Sequence, residues 1–281
     1  VEQKIYEALK WASSYLIEHG RDANAGDLVM KHVLKTSRSD LLARLHDELT
    51  GGQSAEFQQM VLGHAKGVPV QHLIGSEDFY GRSFIVNGDV LIPRPETEEL
   101  VYHALQKTKT MTNPIIVDIG TGSGAIAVTM KAERPDADVY AVDLSAEAIK
   151  TAAQNAEVLG AEITFLNGDL AAPLMERGLL VDILLSNPPY IPVDEREALS
   201  TVVVDYEPHM ALFGGKDGLD LYRKLAEQLP FVMKKGGLVG VETGAGQTKD
   251  VAAMFQASFP NRETEIVYDI NGKDRMVFLY V

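Results

Sequence analysis

The chain has 281 residues, 46% hydrophobic and 23% charged, which suits one large or two ordinary packed domains and argues against disorder. It contains no cysteine, which excludes disulfides, thiolate metal sites and a cysteine nucleophile and fits a reducing, cytoplasmic setting. The formal net charge of −14 opposes stable binding to free nucleic acid and favours a basic protein partner.

No stretch approaches the roughly 20 apolar residues that span a bilayer, so no membrane partner is expected. The first twenty residues carry Glu2, Lys4, Glu7 and Lys10 and lack the apolar run of a signal peptide. Residues 1–73 read as helices. Ile5, Leu9, Ala12 and Leu16 recur at helical spacing, as do Leu41, Leu42, Leu45 and Leu49. Breaks are expected at Gly20 and Gly51-Gly52, and a third helix from an N-cap at Ser54 to about Lys66. This predicts a small helical bundle with its own core.

Residues 74–92 change character. Phe79, Tyr80, Phe84, Ile85 and Val86 are strand formers, with turn signals at Gly81 and Asn87-Gly88, so a β-hairpin linker is expected. Pro93 and Pro95 bracket Arg94, and Glu96 opens a helix to about Lys107. Strands and helices then alternate over residues 93–281. Strands are expected at Ile115–Ile119, Val139–Val142, Ile163–Leu166, Val181–Ser186 and Leu238–Glu242. Helices are expected at Gly124–Glu133, Ser145–Leu159, Leu219–Lys234 and Thr248–Ser258. Asn187 to about Gly218 reads as irregular, and two final strands fall near Glu263–Tyr268 and Arg275–Val281. Such alternation predicts an α/β fold, a mostly parallel sheet with helices on both faces.

The first strand runs into Asp118-Ile119-Gly120-Thr121-Gly122-Ser123-Gly124. Glycines let the backbone turn sharply and approach a ligand, and the following helix offers free N–H groups. A dinucleotide turn has the spacing G-x-G-x-x-G, whereas this one is G-x-G-x-G. Asp118 would repel a pyrophosphate but suits the ammonium of S-adenosylmethionine, so the sulfonium cofactor is favoured. Asp143 ends the second strand, where a carboxylate can accept from both ribose hydroxyls or cap the next helix. Asp169 follows the third strand and could accept from an adenine amino group, with Leu170 packing on the ring; it could equally be a cap.

The fourth strand ends in Asn187-Pro188-Pro189-Tyr190. Proline has no N–H and pushes the preceding residue to an extended conformation, so this loop should be stiff and rich in acceptors. The Asn187 side-chain oxygen and the Pro188 carbonyl form a pair of acceptors suited to an NH₂ group. Held between them, a poorly nucleophilic amide or aryl amine nitrogen is oriented, and the positive charge that develops on methylation is stabilised. Tyr190 could stack on the substrate or close the site. The seven histidines show no metal-ligand spacing, so no metal is expected.

With both segments in view, the chain resembles the HemK-like, or PrmC, family of glutamine-N5 methyltransferases of peptide chain release factors. The resemblance runs through Phe84, Val90-Leu91-Ile92-Pro93-Arg94-Pro95-Glu96-Thr97-Glu98, Asp118–Gly124 and Asn187–Tyr190. It continues through Tyr206-Glu207-Pro208 and Ala211–Gly215 to Asp217-Gly218-Leu219. It implies a seven-stranded class I S-adenosylmethionine methyltransferase domain behind a helical substrate-docking domain. The implied substrate is the glutamine of the Gly-Gly-Gln loop in class I release factors, and the implied coproduct is S-adenosylhomocysteine. Carried over by residue, Gly120, Thr121, Gly122, Ser123 and Gly124 line the cofactor and Asp143 binds its ribose. Asn187 touches both ligands, and Pro188, Pro189 and Tyr190 complete the glutamine pocket. Phe84 matches an aromatic position near the reacting amide. Members of the family can carry a tryptophan where this chain has Leu170. Arg94 and Glu96 match the motif without an assigned chemistry and read best as an ion pair fixing the linker. Tyr206 and Glu207 can be read as walls of the site.

Asn-Pro-Pro-Tyr is shared with enzymes that methylate amino groups of adenine or cytosine in nucleic acid. That alternative needs a phosphate-binding surface which the charge does not favour. A non-catalytic cofactor-binding scaffold is disfavoured by the intact Asn187 and glycine turn. Gly51-Gly52-Gln53 repeats the expected target tripeptide and reads as a connector between helices.

Overall fold

The structure, a computed structural model, describes residues 3–198 and 201–281. Two compact units emerge. One comprises residues up to 76 with Thr201–Tyr206; the other comprises 77–198 and 207–281.

The first unit packs α1 (Ile5–Glu18), α2 (Ala25–Leu34), α3 (Arg38–Ala43), α4 (Gly51–Ala65) and α5 (Val70–Ile74). Ile5, Ala8, Ala12 and Leu16 form the buried stripe of α1, closing on Met30 of α2 and Phe57 of α4. Two local expectations change. Helix α4 begins at Gly51 rather than after Ser54, because Thr50 is its N-cap. The Thr50 hydroxyl accepts from Gln53 N at 3.3 Å, and Gln53 Oε1 accepts from Thr50 N at 3.0 Å. This reciprocal box satisfies free N–H groups and offsets the roughly 1 kcal/mol helix cost of each glycine. Gly51-Gly52-Gln53 is therefore a first helical turn and not a connector. Leu45 and Leu49 lie beyond the end of α3. The Leu45 carbonyl accepts from Tyr6 N at 2.9 Å, and Leu49 N donates to the Gln3 carbonyl at 2.9 Å. Their helix-like spacing reflects core packing against α1.

The second unit starts one residue into a hairpin, β1 (Ser76–Phe79) and β2 (Arg82–Ile85), then α6 (Pro95–Lys107). Then follow β3 (Ile115–Ile119), α7 (Ala125–Glu133), β4 (Asp138–Asp143), α8 (Ala146–Leu159), β5 (Ile163–Asn167), a short α9 (Ala172–Glu176) and β6 (Val181–Ser186). After β6 come a 3-10 turn at Val193–Ala198, α10 (Thr201–Tyr206, in the first unit) and α11 (His209–Leu212). The chain ends with α12 (Asp220–Val232), β7 (Met233–Glu242), α13 (Thr248–Ser258), β8 (Thr264–Tyr268) and β9 (Asp274–Tyr280).

Seven strands form one sheet in the order β5-β4-β3-β6-β7-β9-β8. The first five in that order are parallel; β9 runs antiparallel to both β7 and β8. Side chains alternate faces along each strand. Val117, Ile119 and Leu184 join Tyr222, Leu229 and Phe255 under α12 and α13. Ile116, Ile183 and Leu185 join Leu100 and Val128 under α6 and α7. Strand β7 begins five residues before the expected Leu238, and its pairing with β6 shifts between Val181 and Ile183. Successive crossovers leave β3 towards β4 and return to its other side as β6. The loops at the carboxyl ends of β3 and β6 therefore diverge, which opens a crevice at the switch point.

Candidate active site

A cavity of about 430 Å³ opens there, walled by the loops that follow β3, β4, β5 and β6. Gly120, Thr121, Gly122 and Ser123 form one wall. Gly120 N and Thr121 N donate to the Val142 carbonyl at 2.8 and 3.0 Å, so the turn is stitched to β4. Gly124 does not reach the wall. Its left-handed φ of +82° favours glycine, and a Cβ there would also stand only 3.1 Å from Ala152 Cβ of α8, so its role is in the backbone turn and the packing of α7 on α8.

The carboxylates separate by position. Asp143 lines the cavity, where Oδ2 accepts from Gly122 N at 2.9 Å and Oδ1 from Ser145 N at 2.8 Å. Each oxygen keeps lone-pair capacity for a ligand. Ser145, not Asp143, caps α8, its hydroxyl accepting from Ala148 N at 3.1 Å. Burial raises the Asp143 pKa, opposed by the Gly122 and Ser145 amides.

Asp118 is not on the wall. It shares strand parity with Ile116, and this face of β3 meets α7. Oδ2 accepts from Thr121 Oγ1 at 2.6 Å and from Ala127 N at 3.2 Å. Burial pushes this carboxyl up to about 7, and Oδ1 has no protein partner among the described residues. Its place is beneath the turn, organising it, rather than in the cavity as expected for a direct cofactor ligand. Asp169 and Leu170 do line the cavity. The Asp169 carboxylate is paired with Lys224, and Leu170 holds a left-handed φ of +52°, rare for a residue with a Cβ.

The loop after β6 adds Asn187, Pro188 and Pro189 to the cavity wall. Asn187 Nδ2 donates to Thr97 Oγ1 at 3.0 Å, leaving Oδ1 as its other polar atom. The segment behind the loop holds it by backbone: Ile191 N donates to the Leu212 carbonyl and Gly214 N to the Ile191 carbonyl, each at 3.0 Å. A Cβ on Gly214 would lie 2.4 Å from the Pro189 carbonyl oxygen, which accounts for glycine at that position. Tyr190 turns from the cavity into the core beneath α12 and α13, and burial pushes its hydroxyl up to about 12. Its carbonyl accepts from Gln247 Nε2 at 3.0 Å. Phe84 is also off the wall. It is fully buried edge-on against Phe79, with ring centroids 5.9 Å apart.

Arg94 pairs with Glu207 and not with Glu96, at 2.6 Å between Nη2 and Oε1. Glu207 is 4% exposed, and Arg94 and Pro208 both line the cavity. Burial raises the Glu207 pKa, and Arg94 pulls against it. Sequence reasoning missed Leu144, a 57% exposed leucine on the wall directly after Asp143. An apolar residue one step past a strand-ending carboxylate was the available signal. It also missed Thr97 as a wall residue, although Thr97 lies within the quoted motif.

Among the described residues no group of three or more His, Asp or Glu could hold a metal, and no helix is long and apolar enough to cross a membrane. A seven-stranded sheet in this order, with β9 inserted antiparallel and a glycine turn after β3, is the class I S-adenosylmethionine-dependent methyltransferase fold. A methyltransferase from Pyrococcus furiosus shares it, with a TM-score of 0.53 over 79% of this chain and 96% of that one at 16% identity. Family models match twice: the PrmC N-terminal domain over residues 7–75 and the methyltransferase small domain over 97–204. The release factor glutamine methyltransferase of Bacillus anthracis is 50% identical over 278 residues, covering 98% of both chains. That of Bacillus subtilis is 47% identical over 277 residues, covering 97% of this chain and 96% of its own. The chain belongs to the release factor glutamine methyltransferase family.

Proposed function

We propose that this chain methylates the side-chain amide nitrogen of the glutamine in the Gly-Gly-Gln loop of class I peptide chain release factors. The observation that carries this reading is the seat of Asn187 on the cavity wall that the glycine turn also lines, with Nδ2 directed to Thr97 and the Glu242 carboxylate. The carbonyl oxygen is then the atom left for a ligand, and the natural ligand of a carbonyl acceptor is an N–H.

The cavity falls within the roughly 300–1,000 Å³ of small-molecule sites. Its lining fits S-adenosylmethionine: Asp143 to accept from the ribose hydroxyls, Gly120 to Ser123 along the chain of the ligand, Leu144 and Leu170 for the apolar faces of adenine. When bound, S-adenosylmethionine supplies an activated methyl group and leaves as S-adenosylhomocysteine. Asn187 Oδ1 and the Pro188 carbonyl accept from the two amide hydrogens of the target glutamine. They hold the nitrogen in line for transfer and stabilise the charge that develops on it. No metal is needed for this chemistry.

Aspartates outnumber basic groups on the described cavity wall, where Asp89, Asp143, Asp169 and Asp220 face Arg94. This supports a protein substrate over a phosphate-bearing one. The test is methyl transfer from labelled S-adenosylmethionine to a purified class I release factor, with a parallel reaction on the factor whose Gly-Gly-Gln glutamine is alanine. Labelling of the first alone is expected. Equal labelling of both, or of neither, overturns the reading.

A further inference from the structure

Asn187 heads a line of three side chains from elements far apart in sequence. Asn187 Nδ2 donates to Thr97 Oγ1 at 3.0 Å, and Thr97 Oγ1 donates to Glu242 Oε2 at 2.7 Å. Thr97 stands in the first turn of α6 and is 4% exposed; Glu242 ends β7 and is 2% exposed. Water is thus kept from the far end of the line.

The hydrogen-bond inventory of these groups gives the line a direction. An ionised carboxylate only accepts. The single Thr97 hydroxyl proton must therefore point to Glu242, which leaves only lone pairs towards Asn187. The Asn187 atom facing Thr97 must then be the NH₂, and Oδ1 is turned away from Thr97. The two ends of an asparagine amide have nearly the same shape, so without such a partner nothing local distinguishes one orientation from its flip. The flipped amide would set Oδ1 against a hydroxyl oxygen whose proton is committed elsewhere. It would also present an NH₂ to the substrate NH₂.

We propose that Thr97 and Glu242 are positioning residues for methyl transfer, a one-way hydrogen-bond relay that holds the Asn187 amide with its oxygen towards the substrate nitrogen. The proposal rests on the acceptor role of Asn187 given above. It assigns a task to a buried acid that does not line the cavity.

The surroundings of Glu242 make the relay sensitive to pH. Burial, helped by Glu96 of α6, pushes the carboxyl up to about 7 against the pull of the Thr97 hydroxyl, Arg275 of β9 and the Asn187 amide. Tyr190 and Tyr222 lie in its field, and the Tyr222 hydroxyl donates to the Glu242 backbone carbonyl at 2.7 Å. Once protonated, Glu242 can donate to Thr97, whose own proton is then free to turn to Asn187. The relay loses its direction below about 7, and turnover falls on that side.

Three variants test it: Thr97→Val removes the hydroxyl at nearly constant shape, Thr97→Ser keeps it, and Glu242→Gln replaces an acceptor-only group by one that also donates. Turnover on the release factor, its KM and cofactor affinity by calorimetry are measured across pH 6–9. Thr97→Val is expected to lose roughly 10- to 100-fold in kcat, the scale of one directional hydrogen bond, with KM and cofactor affinity little changed. Thr97→Ser restores most of it, and Glu242→Gln removes the acid limb of the profile. A Thr97→Val enzyme with wild-type kcat, or Ser and Val variants equally impaired, overturns the relay. The side-chain amide protons of ¹⁵N-labelled Asn187, assigned with Asn187→Asp, give a readout without substrate. Slow exchange in the wild type and Thr97→Ser, and fast exchange in Thr97→Val and Glu242→Gln, are expected; fast exchange in the wild type overturns the relay. A wild type with protected amide protons that labels no release factor overturns the substrate reading alone.

Discussion

Asn187 and Asp143 face the same cavity, and under the proposed function they serve different steps, which their substitutions should separate. Asn187→Ala removes an acceptor that matters most when charge develops on the reacting nitrogen. Turnover should fall by about 10²- to 10³-fold, the usual scale for one such group, while cofactor affinity changes little. Steady-state kinetics beside calorimetry checks this, and preserved kcat rejects the role. Asp143→Ala takes away a carboxylate with room for two hydroxyl donors. Charged hydrogen bonds of this kind contribute roughly 1.5–3 kcal/mol each, so cofactor binding should weaken by at least tenfold. Wild-type cofactor affinity in that variant would remove the ribose assignment. The same substitution also releases Gly122 N and Ser145 N, so its thermal midpoint belongs in the measurement.

Elements are tied to the site by a few buried polar clasps. Asn155 of α8, 1% exposed, satisfies all of its amide. Oδ1 accepts from Ile85 N at 2.7 Å, and Nδ2 donates to the carbonyls of Ile85 at 3.0 Å and Ser123 at 2.8 Å. One side chain therefore joins the β1–β2 hairpin, α8 and the glycine turn. Asn155→Ala leaves one donor and two acceptors unpaired, and a cost of about 2 kcal/mol is expected. Denaturant unfolding should show a lower midpoint at unchanged slope; an unshifted midpoint means the clasp is replaced by solvent. The strand formers and turn signals of residues 74–92 made the hairpin itself legible in the sequence. Its place beside α8 depends on Asn155, seventy residues further along.

For the whole molecule, buried acids set the pH response. Asp118 and Glu242 are both pushed up to about 7 by burial. Between roughly pH 4 and 7 the folded chain keeps protons that the unfolded chain has released, so unfolding free energy falls as pH rises through that window. Above 7 both carboxyls are ionised in the dry interior and the cost is complete. The net charge of −14 acts in the same direction, since self-repulsion grows as acids ionise. Thermal midpoints should be higher at pH 5.5 than at 7.5, and Glu242→Gln should flatten the difference. An unflattened profile would mean that Glu242 does not titrate in this range. Asp136 and Asp217 are held at about 2 by Arg134 and Arg223, so their contribution is lost only in stronger acid.

The amino-acid sequence by itself determined what depends on a few neighbouring residues. Apolar runs such as Ile115–Ile119 and Val181–Ser186 specify buried strands, and their alternation with helical patterns specifies a parallel sheet. Gly120–Gly124 and Asn187–Pro189 specify a sharp turn and a stiff loop at strand ends, which is where an open α/β sheet places ligands. Tertiary structure alone decided which carboxylate meets the cavity. Asp118 and Asp143 both lie at the carboxyl ends of their strands, but the pleat directs Asp118 under α7 and leaves Asp143 on the wall. It decided that Arg94 pairs with Glu207, 113 positions away, and that Thr97 meets Glu242 across 145. It also turned Phe84 and Tyr190 into core. The physical reason is one of range. Propensity, capping and turn chemistry act within a few bonds of the backbone, whereas these pairings arise from strand register and helix packing, for which no local spacing codes.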